Sequence, residues 1–284
     1  VRLILAVVAA MLAAPVLAAT PSAISKDPPR NAAHPARLEV LHVPSGGVEI
    51  NGVAYLARGP GPHPTLIICH GWPGNEKNLD LAQAVRRAGW NAVTFNYRGS
   101  WGSPGQFRFA QNPEDAAAVL AYLRDPANAA RLGIDPARIA MAGHSMGGWV
   151  TALVAAQDRR LIGAATISMG DLGTLGAMPR ADLVKEAGEN AETLVTTPEA
   201  MADELAANAA AFSALKAAPG LAKLPLLLLT SDDGLRGQSE ALFKAVQAAG
   251  GTKAVIAHFA TDHSWSDRRI ALQTAVLSWL AILP

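Results

Sequence analysis

The chain has 284 residues, half of them hydrophobic and 17% charged, with a formal net charge of +1. That balance excludes a disordered polyelectrolyte, and the lack of any Lys/Arg run interleaved with aromatics argues against nucleic acid or an electrostatic membrane patch as a partner. The length allows one α/β domain with a sizeable core, and a single cysteine, Cys69, rules out an internal disulfide.

In chain order, residues 1–19 (VRLILAVVAAMLAAPVLAA) begin with Arg2, run apolar from Leu3, break at Pro15 and end in small residues. This is the layout of a secretory signal peptide cleaved after Ala18 or Ala19. The expectation is an exported protein, periplasmic or secreted, with no membrane span left after cleavage. A membrane anchor is the rival reading, against which stand the shortness of the run and its proline. Residues 20–37, rich in Pro, Ala and Ser, read as a linker, and 38–284 as one domain.

Residues 38–43 and 48–56 are strand-like runs joined through Pro44-Ser45-Gly46-Gly47, which predicts a hairpin at a sheet edge. Residues 65–69 (TLIIC) form the continuous apolar run of a strand covered on both faces, with Cys69 at a buried position. Strands at 91–95, 139–142 and 163–168 then alternate with helices at 79–88, 113–124 and 146–156. The pattern is that of a mostly parallel, doubly wound α/β sheet. Asn112-Pro113-Glu114-Asp115 supplies a cap, a proline in the first turn and two acids at the positive helix end, which makes Glu114 and Asp115 structural.

Between 171 and 224 the alternation lapses into an Ala-rich segment with helical stretches at 181–189 and from 197 through 205. A small cap over the site and an inert insertion are both open readings. The sheet resumes at 226–230 and 253–259, with helices at 238–249 and 268–280.

The chemistry centres on Gly143-His144-Ser145-Met146-Gly147, a G-x-S-x-G between a buried strand and a helix. A serine hydroxyl is a poor nucleophile near neutral pH, so it needs a base within reach and backbone donors for the oxyanion; a tight strand-to-helix turn provides for both. Of the seven histidines, only His263 occupies the loop just past the last strand, which makes it the candidate base. The candidate acids are the adjacent Asp232 and Asp233. Asp233, one residue deeper in the loop, is the choice, with Asp232 accepting backbone N–H bonds in the turn. The backbone N–H of Met146 and that of Trp72, in His70-Gly71-Trp72 after the third strand, are the expected oxyanion donors. Asp262 and Asp267 flank His263 without zinc-type ligand spacing, so neither metal nor cofactor is expected.

Taken together, HGWPG, FNYRGSWGSPG, GHSMGG, TSDD and DHSWSD resemble the α/β-hydrolase superfamily, in particular bacterial prolyl-oligopeptidase-like and dienelactone-hydrolase-like serine hydrolases, over roughly residues 38–284. The resemblance implies a Ser145–His263–Asp233 triad. It also implies that the loop 96–100 lies beside the site, with Trp101 either walling the pocket or packed within its loop. His144 before the serine is closer to esterases and lipases. The expected activity is cleavage of carboxylic esters through a seryl acyl-enzyme, the substrate being a small ester or, alternatively, a short peptide. A peptidase or aminoacyl hydrolase is the runner-up and a non-catalytic binding protein the third reading.

Overall fold

The computed structural model describes residues 20–284; the expected signal peptide, residues 1–19, lies outside them. The apolar runs pair into one sheet of β1 (Arg37–Ser45), β2 (Val48–Leu56), β3 (His63–Cys69), β4 (Asn91–Phe95), β5 (Ile134–His144), β6 (Gly163–Ile167), β7 (Leu226–Thr230) and β8 (Ala254–His258). Their spatial order is β1-β2-β4-β3-β5-β6-β7-β8. β2 is antiparallel to both β1 and β4, and every other pairing is parallel. The hairpin β1–β2 therefore forms one edge. Every residue of β4, β6 and β7 is buried, because helices cover both faces.

The strand period of two divides the core. Leu66 and Ile68 of β3, Ala140 and Ala142 of β5 and Leu227 and Leu229 of β7 face one layer, while Ile67, Met141 and Leu228 face the other. The first layer is closed by α1 (Leu79–Arg87) and α10 (Arg269–Leu280), the second by α2 (Asn112–Arg124), α4 (Met146–Gln157) and α9 (Arg236–Ala248). A short α3 (Pro126–Leu132), capped by Asp125, precedes β5; its 7 residues are too few to show a helical period in the sequence. Ala23 and Ile24, in the stretch read as a linker, pack against the first layer, where the Arg87 guanidinium donates to both of their carbonyls.

Between β6 and β7 the chain adds α5 (Leu172–Gly176), α6 (Arg180–Glu189), α7 (Pro198–Asn208) and α8 (Ala218–Leu221). This insertion is fastened to the loop after β4. The Glu204 carboxylate accepts from the N–H groups of Phe109 and Ala110 at 3.0 and 2.9 Å, and the Trp101 and Phe107 N–H groups donate to Thr193 and Val195. The same loop is held from below by Asp115. Its fully buried carboxylate accepts from Ser45 Oγ, from the Arg98 N–H at 2.8 Å and from Arg98 Nε at 2.6 Å. Asn112 does not cap α2: it lies inside the helix, where its amide donates to Met146 Sδ at 3.2 Å.

Candidate active site

The parallel strands end on one edge of the sheet, and the sequence places its chemical groups just past those ends. Ser145 sits between β5 and α4 with φ 56° and ψ −125°, a conformation that L residues seldom adopt and that costs about 1–3 kcal/mol. Two glycines make the turn possible. A Cβ on Gly143 would fall 1.9 Å from the Gly147 carbonyl oxygen, and one on Gly147 would fall 2.1 Å from that of Cys69. The elbow is closed by hydrogen bonds from the Ser145 N–H to Ile167 O and from the Gly148 N–H to Ser145 O, both 2.9 Å.

His263 and Asp233, from the loops after β8 and β7, meet at the same edge. The His263 imidazole Nδ1 lies 2.8 Å from Asp233 Oδ2, and the carboxylate, only 3% exposed, also accepts the Leu235 N–H at 2.9 Å through its other oxygen. Burial raises the Asp233 carboxyl, but the bonds from His263 and Leu235 outweigh it and hold the group at about 2. An ionised carboxylate only accepts, so Nδ1 is the nitrogen that carries the proton in the neutral His263 ring and Nε2 is the one left to act as base. Ser145 and His263 line one cavity, though no hydrogen bond joins them among the described residues.

Asp232 has a different position from its neighbour and from the turn-accepting role expected of it. Its side chain is 62% exposed and pairs with His258 Nε2 at 3.1 Å. Successive residues of a chain leaving a strand point to opposite sides, which is why two adjacent aspartates reach two different histidines.

The Met146 and Trp72 N–H groups have no acceptor among the described residues, and both residues line the cavity with Ser145. Met146 opens α4, whose first donors have no intrahelical partner, and the helix dipole adds positive potential there. Gly71 lets the Trp72 loop come close: a Cβ at that position would sit 2.9 Å from Ser145 Cβ. Trp101, by contrast, does not line the cavity. Its indole donates to Pro73 O at 2.7 Å and Lys77 Nζ lies 4.0 Å from its ring centroid, so it is the packed loop aromatic of the two readings.

His144 has a position the sequence did not disclose. Its Nε2 donates to the His263 carbonyl at 2.7 Å and the two rings are 4.6 Å apart, so the residue before the serine holds the backbone of the histidine. Burial lowers its pKa to about 4, and it remains neutral near pH 7. The cavity wall opposite the sheet is built by the insertion, through Leu172, Leu175, Met178, Glu186 and Asn190. The insertion therefore lines the cavity. Among the described residues no group of three or more His, Cys, Asp or Glu is placed to hold a metal, and no helix is long and apolar enough to cross a membrane.

Comparison with known proteins follows the same architecture. The pattern of a family described as alpha/beta hydrolase fold matches residues 70–267. An uncharacterised protein of Mycobacterium tuberculosis is 30% identical over 124 residues, and an uncharacterised 31.7 kDa protein of Escherichia coli is 33% identical over 138. The matched stretch spans less than half of those relatives, 42% and 46%. Among solved structures, the carboxylesterase EstE1 from a metagenomic library superposes with a TM-score of 0.63 at 24% identity, over 90% of this chain and 91% of its own. A puromycin-hydrolysing peptidase of Mycobacterium tuberculosis gives 0.65 at 21% identity, over 88% of this chain and 39% of its own.

Proposed function

The chain belongs to the alpha/beta hydrolase fold family, and on that premise we propose that it is a serine hydrolase cleaving carboxylic esters through a seryl acyl-enzyme. The observation that carries the reading is the meeting, at one cavity, of a serine on a strained elbow with an imidazole whose Nδ1 is held 2.8 Å from a buried carboxylate. In this mechanism Ser145 Oγ attacks the ester carbonyl carbon and its proton passes to His263 Nε2. The carbonyl oxygen, now an oxyanion, is received by the N–H groups of Met146 and Trp72, each such donor contributing about 3–4 kcal/mol to the transition state. Collapse of the tetrahedral intermediate breaks the ester C–O bond, and the leaving alcohol takes the proton from His263. Water then repeats the sequence on the acyl-serine, releasing the acid and restoring Ser145.

Asp233 stays ionised throughout and stabilises the imidazolium that forms. The two unpaired N–H groups cost no reorganisation at the moment of attack. Export of the protein, with loss of residues 1–19, belongs to the same proposal: intact-mass analysis is expected to find an N-terminus at Ala19 or Thr20, and a soluble form that retains residues 1–18 would contradict it.

The test is labelling by a fluorophosphonate together with turnover of matched ester and amide substrates. The wild-type protein is expected to label and to cleave the ester, and Ser145→Ala to do neither while keeping its melting temperature within a few degrees. Labelling that persists in Ser145→Ala would remove the nucleophile assignment. Faster cleavage of the amide than of its ester would turn the reading to a peptidase.

A further inference from the structure

The cavity in front of Ser145 has a volume of about 440 Å³. Trp72, Leu172, Leu175, Met178 and Leu235 supply apolar wall, and its acids are Asp171, Asp233 and Glu186. Among the described residues neither Lys nor Arg lines it. Two of the acids are occupied within the protein. Asp233 holds His263, and Asp171 caps α5, accepting from the Gly173 N–H, the Thr174 hydroxyl and the Ala214 N–H at 2.9–3.1 Å. Glu186 is not so occupied. Its carboxylate takes only the Asn190 amide, at 3.3 Å, among the described residues.

Glu186 and Asn190 are one helical turn apart, and the Asn190 amide also donates to the Glu186 carbonyl at 2.9 Å. Leu183 and Ala187 of the same helix are buried against the rest of the insertion, which fixes how α6 is rotated and brings Glu186 to the cavity wall. A carboxylate on a cleft wall without a protein cation gives that cleft a negative potential, which attracts a cationic group and repels an anionic one. A bound ammonium would find one charge-assisted hydrogen-bond acceptor in Glu186.

We propose that Glu186 is a specificity-determining residue that selects esters carrying an ammonium group; this rests on the hydrolase reading above and names the substrate class of the same site. The test compares two matched pairs: 6-aminohexanoyl against heptanoyl esters of one alcohol, and 6-aminohexyl against heptyl esters of one acid. The readout is the ratio of kcat/KM for the charged over the uncharged member. In at least one pair this ratio is expected to fall about fivefold in Glu186→Gln, the upper range for an exposed ion pair, and further in Glu186→Lys. In the wild type it is expected to shrink as salt is raised.

A ratio that stays within about twofold of wild type in both variants and both pairs would overturn the inference while leaving the hydrolase reading intact, since the uncharged esters are still turned over. If the wild-type protein cleaves none of the four esters, the hydrolase reading itself fails and the inference falls with it.

Discussion

The adjacent aspartates after β7 provide a demanding test of the proposed site, because they differ by one residue in sequence and by nearly everything in environment. Asp233 is 3% exposed and 2.8 Å from His263 Nδ1, while Asp232 is 62% exposed and 3.1 Å from His258. In Asp233→Asn the side-chain oxygen can still accept the Leu235 N–H, so the loop keeps its anchor. The amide NH₂ then faces His263 Nδ1 and donates to it. That moves the imidazole proton to Nε2, where it cannot receive the serine proton, a defect of about 10⁴-fold in kcat for a serine triad. Asp232→Asn removes an exposed pair worth about 0–1 kcal/mol of stability and leaves the His263 tautomer untouched, so kcat is expected to change by less than about twofold. Steady-state kinetics with one ester and a thermal melt for each variant suffice. Equal losses of kcat in the two variants, or a larger loss in Asp232→Asn, would refute the reasoning. So would full activity in both, which would place the orienting acid elsewhere.

Acid sensitivity should come first from two buried histidines. Burial lowers His70 and His144 from 6.5 to about 4, so between those values the unfolded chain binds protons that the folded one does not, and stability falls as pH falls. From about pH 7 to about pH 5 each contributes roughly 2 kcal/mol of loss. The Asp233 contribution, with its pKa at about 2, is lost only below the ordinary carboxylate range. Urea unfolding at the two pH values reads the sum, and a difference under about 1 kcal/mol would contradict the burial argument. Gly147→Ala, whose Cβ meets backbone at 2.1 Å, is expected to destabilise by about 1–3 kcal/mol or more, whereas Gly188→Ala, on α6 with open space around it, is expected to stabilise by up to about 1 kcal/mol. Melting temperatures that move together in these two variants would rule out the steric account.

Local pattern determined much of this protein on its own. Period and punctuation marked β4 and β7 to the residue and most other elements to within a few positions, because a strand covered on both faces is dominated by apolar residues. G-x-S-x-G with its flanking strand and helix located Ser145, and chain order singled out His263, since the groups at the ends of parallel strands converge on one edge. What remained ambiguous was direction in space. Whether Asp232 or Asp233 faces His263, whether Trp101 walls the cavity, and whether the insertion covers it all depend on how loops far apart in sequence are docked. Glu204 on Phe109 and on Ala110, Trp101 on Pro73, and His144 on His263 are contacts across 95, 94, 28 and 119 residues of chain. No local period reports such contacts. Glu186 and Asn190 show only a helical spacing in the sequence. Their place on the cavity wall follows from the packing of Leu183 and Ala187, which rotates α6 so that the Glu186 carboxylate faces the serine's cavity.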